Sequence, residues 1–289
     1  MRPLLAAATL AANAAEGTSD WQLHKAGYTL EYGLVLAGLV ALLPMAFPGR
    51  KRWTRQLAPA WPGTSDVAIV DLATFLFPWL AVYCLDGLFL APLARLAHVE
   101  SGAGRLLFSV LVVEGSFLAV IVLFHLLRRR LSPNSTPLLT ARWGPIVFLA
   151  AWPVVFAVLL GWQWLLDKCG HPATDQDLVD QFRALSTWSS RGAFILFASV
   201  LAPFTEEIIF RGIIYRTLKR TLPRWLAALL SAVAFGAAHA DLSSLVPLIA
   251  LGFIFALAYD ATGCIAVTMV AHGLFNLNTI VALLLGVGS

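Results

Sequence analysis

Phe204-Thr205-Glu206-Glu207-Ile208-Ile209-Phe210-Arg211 sets two adjacent carboxylates and an arginine inside an apolar run. That run enters from Ala193 and leaves through Gly212, Ile213, Ile214 and Tyr215. The whole segment is long enough to cross a bilayer. A charge near the bilayer centre costs at least about 2.5–3.5 kcal/mol on insertion scales. Such groups turn to the protein interior or a wet cavity, and their default reading is functional. On a helix Glu207 and Arg211 are four apart and share a face, so they can neutralise each other. Glu206 is rotated by about 100° from Glu207 and lies off that face. The arrangement suggests a reagent beside its support; a structural ion network holding a helix bundle together is the alternative.

The rest of the chain agrees with a membrane setting. Of 289 residues, 59% are hydrophobic and 12% charged, with a mean hydropathy of +0.79. Soluble domains carry about 25% charged residues, so the composition indicates an all-α, polytopic membrane helix bundle. The 18 Phe and 10 Trp suit lipid-facing surfaces and interfacial belts. The net charge of +4 is small and clustered on one side, which reads as a topology signal and makes nucleic acid a poor partner. Cys84, Cys169 and Cys264 are odd in number and scattered, so neither a zinc site nor a disulfide framework follows.

Eight spans are expected, near 28–47, 67–91, 105–127, 144–166, 192–217, 224–241, 244–259 and 263–286. Before them, residues 1–27 form an Ala-rich segment, signal-like or interfacial, and 28–289 make one membrane domain with its motif-bearing core at about 190–280. A polar stretch from Asp167 to Ser190 carries Leu178, Val179 and Phe182 on one side of a short amphipathic helix. The loops after spans one, three and five hold twelve Lys and Arg residues, against seven on the opposite side. Both termini are therefore expected to be non-cytoplasmic.

The later spans bury further polar residues: His239 closes Phe235-Gly236-Ala237-Ala238-His239, and His272 and Asn276 lie four apart on another span. A lone intramembrane His commonly makes a helix–helix hydrogen bond. A Glu, two His and an Asn on three spans are harder to explain by packing alone. A carboxylate and a His can share the activation of a water, and a second His and an amide can donate to the oxyanion of a tetrahedral intermediate. Peptide hydrolysis inside a membrane needs those parts and a wet cavity. Two His and a Glu also compose a zinc site, although H-E-x-x-H is absent and the residues lie on separate spans. No cofactor is expected, with zinc the minor alternative.

Glu206-Glu207-x-x-x-Arg211, Phe235-x-x-x-His239 and His272-x-x-x-Asn276 resemble, in order, the three motifs of the CAAX protease and bacteriocin-processing (Abi) family, whose best-known members are the type II CAAX prenyl endopeptidases. The resemblance covers about residues 190–280. It implies an eight-helix glutamic intramembrane protease in which Glu206 and His239 activate the water and His272 and Asn276 form the oxyanion site. Glu207, Arg211 and Phe235 would be supporting. The implied partners are the lipid bilayer and a membrane-anchored protein or a prenylated or tail-bearing peptide, cut near its C-terminal end or leader. Tail-sorting or bacteriocin-type processing without a prenyl group, and a non-catalytic immunity or scaffold protein, are the alternatives. A transporter would be expected to show internal repeats, and none is visible.

Other polar residues take plainer readings. Asp71, Asp86 and Glu114 are expected to pair across helices or line a cavity, Glu31 to be solvated at a membrane edge, and Asn278 to serve packing. Pro203 is expected to kink its helix near the carboxylates. His239 falls late in its span, so meeting Glu206 requires that helix to start late, tilt or be displaced.

Overall fold

A computed structural model describes residues 25–41, 115, 141–171, 182–183, 185 and 187–286. The expected spans at 67–91 and 105–127, the segment 1–24, and Asp71, Asp86 and Glu114 lie outside the described residues, as does most of the expected amphipathic helix. The described residues are helical with short connections and no strand. We label 25–41 α1, Gly144–Lys168 α2, Trp188–Thr221 α3, Arg224–Ala238 α4, Leu242–Thr262 α5 and Ile265–Leu284 α6. Four of these, α2, α3, α5 and α6, are long and apolar enough to cross a membrane. The protein is thus a multi-pass membrane helix bundle.

The helix ends follow local chemistry. Pro145 occupies the first turn of α2, where its missing N–H is harmless. Thr187 caps α3 by accepting from Ser190 N–H, and Asp241 caps α5 by accepting from Ser243 and Ser244 N–H at 3.0 and 3.1 Å. Gly263, at φ 65°, takes the left-handed position that ends α5. Between α4 and α5 the chain reverses through His239 and Ala240, and Ala240 holds φ 51° without being glycine.

α3 is composite. It is α-helical over Trp188–Leu196, widens to π over Phe197–Leu201, returns to α over Ala202–Glu207, widens again over Ile208–Tyr215 and closes as α over Arg216–Thr221. Each wide stretch turns a carbonyl to a neighbouring helix. Ala198 O accepts from Asn276 Nδ2 at 2.8 Å on α6, and Phe210 O accepts from Ser231 Oγ at 2.8 Å on α4.

With no hydrophobic force between helices in lipid, close approach of small residues carries the packing. A Cβ on Gly236 would meet Ile249 Cγ1 at 2.7 Å, one on Gly273 would meet Ser199 O at 2.3 Å, and one on Gly38 would meet Leu149 O at 2.1 Å. These glycines seat α4 on α5, α6 on α3 and α1 on α2. Aromatic and aliphatic residues fill the remainder, with Phe148, Leu251, Phe255, Ala271 and Phe275 joining α2, α5 and α6.

Glu31 does not take the solvated edge position expected of it. Glu31 is buried, at 7% exposure, and accepts from Asn278 Nδ2 at 3.0 Å. In a bilayer a carboxylate on a helix that packs against its neighbours finds an amide partner more cheaply than it finds water. Asn278 is accordingly a hydrogen-bonding residue that ties α1 to α6.

Gly236→Ala is expected to lower stability by about 1–3 kcal/mol through overpacking. Gly161→Ala on α2, which meets nothing within 4 Å, should leave it unchanged or raise it by up to about 1 kcal/mol. Thermal unfolding of the two variants in detergent checks this.

Candidate active site

The centre of the site is Glu207, fully buried on α3. Its Oε1 accepts from Arg211 Nη1 at 2.7 Å, one helical turn on, and from His272 Nδ1 at 3.0 Å, on α6. The i, i+4 relation survives the widening of the helix because Glu207 and Arg211 straddle its start. Arg211 is also buried. Its Nη2 donates to Gly252 O at 3.2 Å on α5, and its guanidinium lies between the rings of Phe235 and Phe255, at 4.6 and 5.3 Å. The stacked, hydrogen-bonded guanidinium is the form in which a cation tolerates burial. Gly252 has no side chain where α5 presses on Ala232 and Phe235, which gives Arg211 access to its carbonyl.

His272 joins the two carboxylates. A carboxylate only accepts, so Nδ1 carries the proton it gives to Glu207. The opposite ring atom, Nε2, stands 3.7 Å from Glu206 Oε2. That is too long for a direct hydrogen bond and suits one shared oxygen between them. Glu206 is the more open of the two, with its side chain 25% exposed against 0% for Glu207.

Phe235 organises the other side. Its ring packs edge-on against Phe210, with centroids 5.1 Å apart, against His239 at 4.9 Å and against His272 at 5.6 Å. The two imidazoles therefore flank one buried ring. His239 is exposed, directly beyond the end of α4, and its Nδ1 donates to Phe235 O at 2.9 Å. In a neutral ring that leaves Nε2 as the acceptor.

The opposite ends of α3, α4 and α5 are tied to one another. Asp260 on α5 pairs with Lys219 at the end of α3 and with Arg224 at the start of α4, which brings those two ends to one level. No late start of α4 is involved: it begins at Arg224, and the chain carries its histidine in the turn.

Asn276 lies one turn beyond His272, with one amide hydrogen on Ala198 O and a second that the contact does not use. Polar residues inside apolar spans, and the resemblance to three ordered motifs, pointed to Glu206, Glu207, Arg211, Phe235, His239, His272 and Asn276. They did not point to Gly252, Phe255 or the Ala198 carbonyl, which contribute backbone and ring surface and carry no polar side-chain signal. Among the described residues no group of three His, Cys, Asp or Glu side chains is arranged to hold a metal ion.

Comparison with known proteins concerns the same part of the chain. Residues 188–278 match the family described as type II CAAX prenyl endopeptidase Rce1-like. The chain is similar to YdiL of Bacillus subtilis (strain 168), named as a candidate membrane peptidase, at 43% identity over 82 residues, which are 28% of this chain and 34% of that protein. It is also similar to the membrane-embedded CAAX protease MroQ of Staphylococcus aureus (strain USA300), at 34% identity over 89 residues, 29% of this chain and 36% of the relative. The matches span about a third of the length of these relatives. No solved structure matches the chain.

Arg211→Met leaves the Glu207 charge buried without its cation and is expected to cost about 3–5 kcal/mol. Adding Glu207→Gln should recover part of that loss, a coupling that a double-mutant cycle on thermal unfolding measures.

Proposed function

On the premise that residues 188–278 are a domain of the type II CAAX prenyl endopeptidase Rce1-like family, we propose that the chain is a glutamic intramembrane endopeptidase. Its substrate is a membrane-associated protein, cut near its C-terminal end or leader. The observation that carries this reading is the pairing of Glu206 with His272 across 3.7 Å, inside a bundle where every neighbouring charge is already engaged.

In the proposed reaction Glu206 is the general base that takes a proton from water as the oxygen attacks the scissile carbonyl carbon. His239, with Nδ1 committed to Phe235 O, offers Nε2 as the second acceptor for that water. The carbonyl oxygen becomes an oxyanion. The free hydrogen of the Asn276 amide donates to it, as does His272 Nε2 when protonated. Collapse breaks the C–N bond, and the proton held by Glu206 passes to the leaving amine, giving a new carboxylate and a new amine.

Glu207 and Arg211 take no part in bond making. They hold His272 in one tautomer and orientation, the support a histidine at a reacting centre needs. No metal enters this scheme. The loop charges favour both termini on the non-cytoplasmic side, which reporter fusions at either end can test.

Purified protein should cleave a membrane-anchored tail or prenyl peptide. Glu206→Gln and His239→Ala should each lower kcat by about 10²–10⁴-fold, and a chelator should leave the wild-type rate unchanged. Loss on chelation with rescue by zinc would move the same side chains into a metal site. Cleavage unaffected by Glu206→Gln would overturn the assignment of the base. A protein that cleaves none of these substrates, yet keeps its biological activity in Glu206→Gln, would be an immunity or scaffold protein.

A further inference from the structure

We propose that Pro203 is a positioning residue for the reaction: by withholding an N–H from α3 it frees the Ala198 carbonyl to anchor Asn276. In the wide stretch Phe197–Leu201, Ala202 N–H is given to Phe197 O, five residues back. Ala202 is the residue that would serve Ala198 O in an ordinary α-helix. In the wider register the donor for Ala198 O would be residue 203, and Pro203 has none. Ala198 is buried, and in lipid a buried carbonyl cannot turn to water.

The partner it finds is Asn276 Nδ2 at 2.8 Å. The adjacent carbonyl is used as well. Pro203 would clash with Ser199 O if α3 kept ideal α geometry. In the structure Ser199 O faces Gly273, where a Cβ would come within 2.3 Å. Gly273 and Asn276 are one turn apart on α6, so the two displaced carbonyls seat the turn of α6 that follows His272. The proline three residues before Glu206 therefore sets where the proposed oxyanion donor stands and how its amide is turned.

Replacement separates this role from plain helix packing. Pro203→Ala restores an N–H and lets α3 serve its own carbonyls, so the helix keeps or gains stability. Asn276 then loses its exclusive partner. A merely structural proline predicts a protein that is as active as before.

The test is a double-mutant cycle on the full chain in detergent, read by thermal unfolding. Asn276→Ala in the native background strands a buried carbonyl and should lower Tm by about 5 °C. In the Pro203→Ala background the same change should lower Tm by less than half as much. Equal losses in the two backgrounds would overturn the proposal, because the cavity left by the amide is common to both.

The activity arm rests on the peptidase reading, for which Glu206→Gln is the control. Pro203→Ala should lower kcat about tenfold or more with KM within about twofold. An unchanged kcat, in a preparation where Glu206→Gln is inactive, would also overturn the proposal. If Glu206→Gln cleaves as wild type does, or if wild type does not cleave, the chemistry proposed above is what fails, and the unfolding cycle alone decides the role of Pro203.

Discussion

A carboxylate at full burial needs a cation and a donor, and much of the bundle's later half is arranged to supply them to Glu207. Arg211 comes from the same helix, His272 from α6, and the guanidinium is in turn held by Gly252 O on α5 and by the rings of Phe235 and Phe255 on α4 and α5. Four helices are thus joined through one carboxylate and its guanidinium. The cost of burying charge in a low dielectric turns those contacts into a requirement. They also leave Glu206, next in sequence and turned by a fraction of a helical turn, more open than its neighbour and close to the second nitrogen of the same histidine.

The backbone contributes as much as the side chains. A helix of 34 residues that stayed α-helical throughout would keep its carbonyls to itself. The wide stretch of α3 beside Pro203 leaves the Ala198 carbonyl to Asn276, and within the one beginning at Ile208 the Phe210 carbonyl also accepts from Ser231. π stretches inside α-helices are frequent at functional sites, and here the physical content is specific: each gives a directional contact to a neighbouring helix. At the far ends of α3, α4 and α5 the Asp260 cluster fixes their mutual level. Glycines at 38, 236, 252 and 273 allow the approaches on which those contacts depend.

Residues given plain readings from sequence turn out to be tied into this frame. Glu31 was expected in solvent and is buried against Asn278, whose amide faces away from Asn276 by about half a turn of α6. The helix that carries His272 is therefore bonded on two sides, to α3 through Asn276 and to α1 through Asn278. Hydropathy places a carboxylate such as Glu31 near a membrane edge. It says nothing of which neighbour lies across the helix face.

The sequence by itself determined that the chain is an apolar helix bundle, where most of the described helices lie to within a few residues, and which ionisable residues stand out. Hydrophobic length and the cost of a charge in lipid are local properties, readable residue by residue. The ordered spacing of Glu206, Glu207, Arg211, Phe235, His239, His272 and Asn276 was legible for the same reason, since residues four apart share a helix face wherever the helix lies. Only the tertiary structure decided that His272 stands between both carboxylates, that Gly252 and Phe255 hold Arg211, and that His239 lies in the turn beyond α4. It also decided that the Ala198 carbonyl accepts from Asn276. Those facts depend on register and rotation between helices far apart in sequence. They are set by small residues, backbone carbonyls and helix ends, which have no periodic signature.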